Sequence, residues 1–149
     1  MSARWLPADM PAPTVTRETL PFWQAAAEHR LVVQSCTACG QVRHPPGPTC
    51  PACRSFAHGW AEVAGRGVVY TYTIVHQPFL PSLAAFVPYV VAAVQLDDAP
   101  AVRLITNLVE VDPARVTVGL AVELVWDDVR PGLALPRFRP RGGGGAGGA

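Results

Sequence analysis

From residue 67 onward the chain alternates in short runs. Val68, Tyr70, Tyr72 and Ile74 stand at alternate positions, with Val69, Thr71, Thr73 and Val75 between them. β-Branched and aromatic residues at that density make strand rather than helix. The same criterion predicts strands over 59–64, 67–76, 89–97, 101–109 and 120–127, and a short one at 135–138. Asp97, Asp98, Ala99 and Pro100 read as a hairpin turn. Asp112 and Pro113 open a short helical turn, and Gly119 starts the next strand. Five or six short strands in a segment of this length fit a small Greek-key barrel or a sandwich. Pattern alone does not choose between them.

The first third of the chain has a different period. Leu20, Trp23 and Ala27 recur at i, i+3 and i+7, which predicts a helix over 20–29 with these residues on one face. Pro21 suits its first turn. Residues 1–14 are irregular and carry Pro7, Pro11 and Pro13, while 31–35 read as a strand. From Gly142 the chain ends in GGGGAGGA, a flexible extension with nothing to bury. The pattern thus divides the chain into an arm and helix (1–30), a cysteine-bearing segment (31–56), a strand-rich segment (57–141) and a glycine-rich tail (142–149).

Cys36, Cys39, Cys50 and Cys53 form C-x2-C-x10-C-x2-C. Two thiols three positions apart on a tight turn place both sulfurs on one tetrahedral ion, and two such pairs complete its shell. Gly40 supplies a left-handed position after the first pair, and Pro51 pre-sets the second turn. The alternatives are a pair of disulfides, which a reducing compartment disfavours, or buried thiols without metal. Tetrahedral S4 sites hold zinc or iron; the short link between the pairs favours zinc. Four sulfur ligands leave no open position for water, so the site is structural. Residues 31–56 offer only Leu31, Val32, Val33, Val42 and Phe56 as large apolar groups. A segment this short does not fold unaided, and the metal has to supply its folding energy.

Half of the 149 residues are apolar and 15% are charged, which excludes whole-chain disorder. The longest apolar runs, 90–94 and 120–126, are too short to span a bilayer. Residues 1–13 show no basic stretch followed by an apolar one, so no secretory signal is expected and a cytoplasmic location is. All twelve cations are arginine, and the net charge is +1. A four-thiolate zinc site would itself carry −2, leaving a net −1. That is not the basic excess of a protein that grips a polyanion.

The stretch PFWQAAAEHRLVVQSCTACGQVRHPPGPTCPAC resembles the opening of the domain-of-unknown-function-35 family. The likeness continues through GRGVVYTYTIVHQ, PYVVAAVQLDD, VRLITNLVEVDPARVTVGLAVELVWDD and LPRFRP, covering residues 22–140. It implies a mainly β protein: an N-terminal helix, a rubredoxin-like zinc ribbon (31–56) and a C-terminal OB-fold five-stranded barrel (57–141). All four cysteines are present here, although some members have lost them. Family members are accessory subunits of thiolase-like enzymes: acyl-CoA thiolases, acyltransferases and steroid side-chain aldolases. The resemblance therefore implies a thiolase-like partner that carries the catalytic residues. The OB subunit shapes the assembly and helps bind or channel an acyl-CoA at the shared interface.

A search for catalytic parts supports that division of labour. The cysteines are committed to metal. His29, His44 and His58 lie at a helix end, in the ribbon and just after it. His76 stands at a strand end beside the loop 77–88, with no sequence motif to supply an orienting carboxylate. No serine sits in a nucleophile elbow, and no phosphate-binding glycine loop is present. We expect no catalytic residue. The loop QPFLPSLAAFVP carries Phe79, Leu80, Leu83 and Phe86, which either dock the partner or line the acyl channel, or else plug the barrel end; His76 beside it is a candidate for the same CoA-binding or docking surface. Arg43, Arg54 and Arg66 are candidates for holding CoA phosphates, or else ordinary solvated surface. The competing class is a single-stranded nucleic-acid-binding zinc-ribbon and OB module. Against it, residues 57–141 hold seven arginines and eight acids.

Overall fold

The computed structural model describes residues 5–142. The glycine-rich tail beyond Gly142 and the first four residues of the arm lie outside the described residues. One helix, α1 (Leu20–Ala27), precedes eight strands. They are β1 (Val32–Cys36), β2 (Val42–Arg43), β3 (His58–Glu62), β4 (Arg66–Val75), β5 (Tyr89–Leu96), β6 (Ala99–Leu108), β7 (Ala121–Arg130) and β8 (Leu133–Pro140). Short 3-10 turns stand at Pro81–Leu83 and Pro113–Arg115. No helix among the described residues is long and apolar enough to cross a membrane.

The first three strands form a sheet in the order β2-β1-β3, and the other five close a barrel in the order β4-β5-β6-β8-β7. Every neighbouring pair in the barrel is antiparallel except β6 and β8, which meet in parallel at Leu108 and Phe138. This is the Greek-key closure of an OB-fold, and it removes exposed sheet edges. β3 follows Phe56 in sequence yet pairs with β1 over five registers, so the ribbon sheet draws on residues beyond its cysteines.

Alternation builds the barrel interior. On β6, Val102, Leu104, Thr106 and Leu108 are buried while Arg103 and Ile105 face out. β5 contributes Val90, Ala92, Val94 and Leu96, and Val69, Val122 and Phe138 complete the centre. Gly67 permits β4 to approach β5: a Cβ there would collide with the carbonyl oxygen of Gln95 and sit 2.8 Å from Val94 Cγ1.

The helix differs from the sequence expectation in length and in face. It ends at Ala27, and it buries Phe22, Ala25 and Ala26, leaving Leu20 44% exposed and Ala27 at the surface. Alanines on the inner face let the backbone approach the barrel closely, which a leucine stripe would prevent. The end is a left-handed cap in which Arg30 N–H donates to Ala25 O and His29 N–H to Ala26 O. His29 takes the position usually given to glycine, at φ 58°. Its ring stacks on Trp126 at 5.5 Å, and Nε2 lies 2.7 Å from Asp128 Oδ1. That contact clamps the helix end to β7.

Candidate metal centre and docking surface

The two cysteine knuckles have the same local wiring. Gly40 N–H donates to Cys36 O at 2.8 Å, and Arg54 N–H donates to Cys50 O at 2.9 Å. Both donors stand just after a second cysteine, and both have left-handed backbones, with φ 81° at Gly40 and 63° at Arg54. Cys36 N–H reaches Gln41 O and Cys50 N–H reaches Ser55 O, closing each loop.

This wiring brings the four sulfurs within 4.8 Å of one another. The cross-knuckle pairs Cys36–Cys53 and Cys39–Cys50 stand 3.5 and 3.7 Å apart, and no disulfide joins them. Sulfurs bound to one zinc ion at about 2.3 Å would be separated by about 3.8 Å in a tetrahedron. The donor set therefore fits zinc. Thiolate is the form that binds metal, and the ribbon favours it at Cys36 and Cys50; at Cys53 the N–H of Ser55 lowers the thiol, but the crowding sulfurs of Cys36, Cys39 and Cys50 outweigh it and push it up to about 11. Backbone N–H groups, Cys39 first, hold the Cys36 thiol below its ordinary value. The N–H of Cys53, with that of Ala52, lowers Cys50 to about 6.

The remaining expected site residues do not gather in one place. Arg43 turns inward: its Nε donates to Gln34 Oε1 at 2.7 Å and its Nη2 to Gly47 O at 3.2 Å. Gln34 is 1% exposed, and its Oε1 also accepts from Gly47 N–H at 2.8 Å. Arg43 Nη1 is buried without a partner. Arg54 is exposed on the second knuckle. Arg66 opens β4 and His76 follows its end, both exposed. About 30 Å of strand lies between them at the usual rise per residue. Arg66 and His76 thus mark opposite ends of the barrel. In the loop 77–88, Leu83 turns inward and is 3% exposed, Phe86 is half-buried, and Phe79 projects at 76% exposure beside Leu80. The loop thus splits, with Leu83 packed inward and Phe79 standing in solvent.

Other surface residues stand outside the expected docking and CoA-binding sites. Ile105 and Val118 are exposed, and Arg103 lies 4.1 Å above the half-exposed Tyr70 ring. The sequence signal for Ile105 was present: it is an isoleucine in the outward phase of a strand whose inward phase is already apolar. Tyr70 belongs to a register shift between Val69 and Thr71, which simple alternation does not reveal.

Comparison with known proteins places these features in a family. Residues 23–59 match the family described as "ChsH2, rubredoxin-like zinc ribbon domain", and 60–127 match "ChsH2, C-terminal OB-fold domain". A "DUF35 domain-containing scaffold protein" from Pyrococcus furiosus is 35% identical over 127 residues, covering 80% of this chain and 90% of its own length. The chain belongs to the DUF35 family. Its ribbon is a structural zinc site held by Cys36, Cys39, Cys50 and Cys53. A solved DUF35 structure named "Ltp2-ChsH2(DUF35) aldolase" is 44% identical, with TM-score 0.79, covering 87% of this chain and 98% of that one. Two longer relatives are similar as well. A Thermomonospora curvata protein named "Probable enoyl-CoA hydratase alpha subunit" is 45% identical over 87% of this chain. A Mycobacterium tuberculosis "3-oxo-4,17-pregnadiene-20-carboxyl-CoA hydratase alpha subunit" is 34% identical over 90%. The chain spans about two fifths of the length of these two relatives (40% and 41%).

Proposed function

We propose that this DUF35 chain is a non-catalytic subunit that docks onto a thiolase-like enzyme acting on acyl-CoA, and that it helps hold the CoA ester at the shared interface. The reading is carried by the likeness, over nearly the full length of both chains, to the DUF35 component of an aldolase whose name pairs it with a second protein. Names of relatives that include acyl-CoA hydratase subunits and scaffold proteins point the same way. The site chemistry agrees with it. A four-sulfur zinc shell fixes the ribbon's shape and offers no open coordination position to a substrate. The docking element is the loop 77–88, where Phe79 stands in solvent beside Leu80 and offers an apolar area for a partner to cover. Of the arginines, Arg54 and Arg66 remain exposed for phosphate contact, whereas Arg43 is engaged with Gln34 and Gly47.

The nucleic-acid reading gains no observation. The Tyr70 ring, an exposed aromatic on the barrel, already carries Arg103 on its face, and a stacking platform needs that face free.

Phe79→Asp tests the docking role. The variant should fold normally, because the side chain touches little of its own barrel, and should bind the thiolase-like partner at least about tenfold more weakly, as expected for an interface anchor. Undiminished complex formation by the folded variant would reject the loop as the docking element.

A further inference from the structure

Arg137 is the one arginine buried among the described residues, at 7% exposure. It stands on β8 with its Nε 3.1 Å from Asp127 Oδ2 and its Nη1 2.6 Å from Asn107 Oδ1. Asn107 is held in turn, donating through Nδ2 to Val90 O at 3.1 Å. A buried ion pair is weak evidence of stabilisation, because apolar residues of the same volume commonly do as well. The two bonds leave Nη2 over. Arg137 Nη2 has no hydrogen-bond partner among the described residues, yet it is not sealed from solvent as Arg43 Nη1 and His44 Nδ1 are.

The space beside Arg137 is two adjoining cavities. The larger, about 310 Å³, lies where α1, the loop after β2 and strands β6 and β8 meet. Its walls are mainly apolar and include Phe22, Trp23, Pro45, Leu104 and Leu135. The ionisable groups lining it are Arg137 and His44. Burial pushes the His44 imidazole below its ordinary value, so it stays neutral near pH 7. The positive charge of Arg137 is already balanced by Asp127. An anionic ligand would have to shed its water for a site of no net charge. An uncharged oxygen acceptor loses far less and satisfies the spare donor.

We propose that this cavity binds an uncharged, largely hydrocarbon molecule with one carbonyl oxygen, which accepts from Arg137 Nη2 while the hydrocarbon fills the space between helix, ribbon loop and barrel. The site lies apart in the fold from the loop bearing Phe79, and it does not depend on the partner reading.

The test uses the full, zinc-loaded chain without a partner. It is titrated separately with 2-decanone, decane and decanoate, followed by calorimetry and by two-dimensional NMR. The expected result is saturable binding of 2-decanone with amide shifts centred on Thr106, Leu135 and Arg137, and binding of decanoate at least tenfold weaker. Ile105→Phe adds bulk at an exposed position on the cavity wall and should weaken 2-decanone at least tenfold without loss of fold. Arg137→Gln, where folded, should abolish the preference for the ketone over decane. Three results would overturn the proposal: no saturable 2-decanone binding, equal binding of decanoate, or unchanged affinity in Ile105→Phe.

Discussion

At the scale of single residues, the cysteines were legible because ligand spacing is written directly into the sequence. A C-x2-C pair with glycine behind it specifies a turn, and two pairs specify an ion. Cys39→Ser should remove bound zinc and, with it, on the order of 10 kcal/mol of metal-linked folding energy. Mass spectrometry should show the zinc lost, and hydrogen exchange should show residues 31–56 opening while the barrel stays protected. Arg43 was not legible. Its partner Gln34 lies on another strand, and the carbonyl it reaches belongs to a loop whose path no local pattern encodes. Arg54 shows a local cost instead: it repeats the left-handed position that Gly40 fills without penalty. Arg54→Gly should raise stability by about 1 kcal/mol in chemical denaturation. His44 packs against Phe22 with ring centroids 5.1 Å apart, and burial lowers its pKa below 6.5. A base held neutral by the fold contributes stability that is full above its unfolded pKa and is lost as the pH falls toward the folded one. The fall in stability below about pH 6.5 should therefore be shallower in His44→Phe, measured by denaturation across the range.

At the scale of elements, the strands were legible and the helix face was not. Alternation on β5 and β6 is unambiguous, because a barrel strand has one wet face and one dry one. A helix of eight residues offers too few turns for its largest apolar side chains to identify the buried stripe. Here closeness of approach decided it, through Ala25 and Ala26. β2 was also invisible, since two residues carry no period. Two glycines separate a steric requirement from an incidental one. Gly67→Ala drives a methyl group into the backbone of β5 and should cost about 3 kcal/mol, at the upper end for overpacking. Gly47→Ala meets nothing within 4 Å, so its effect should fall within about 0.5 kcal/mol of zero. Paired thermal melts give both values.

At the scale of the whole molecule, the chain joins a metal-fixed ribbon to a closed barrel, with a helix wedged across them. The ribbon and the five strands of the barrel were readable in advance. Closure into a barrel was not given by pattern, because a sandwich shows the same alternation; the parallel meeting of Leu108 with Phe138 determines it. The result is a ribbon with a closed metal shell joined to a barrel whose loop holds Phe79 in solvent, an arrangement suited to the proposed role of shaping an assembly. The most direct test is acyl-CoA thioester turnover by the purified, zinc-loaded chain, alone and in complex with the thiolase-like enzyme proposed as its partner. Turnover is expected only in the complex. Turnover by the isolated chain would contradict it.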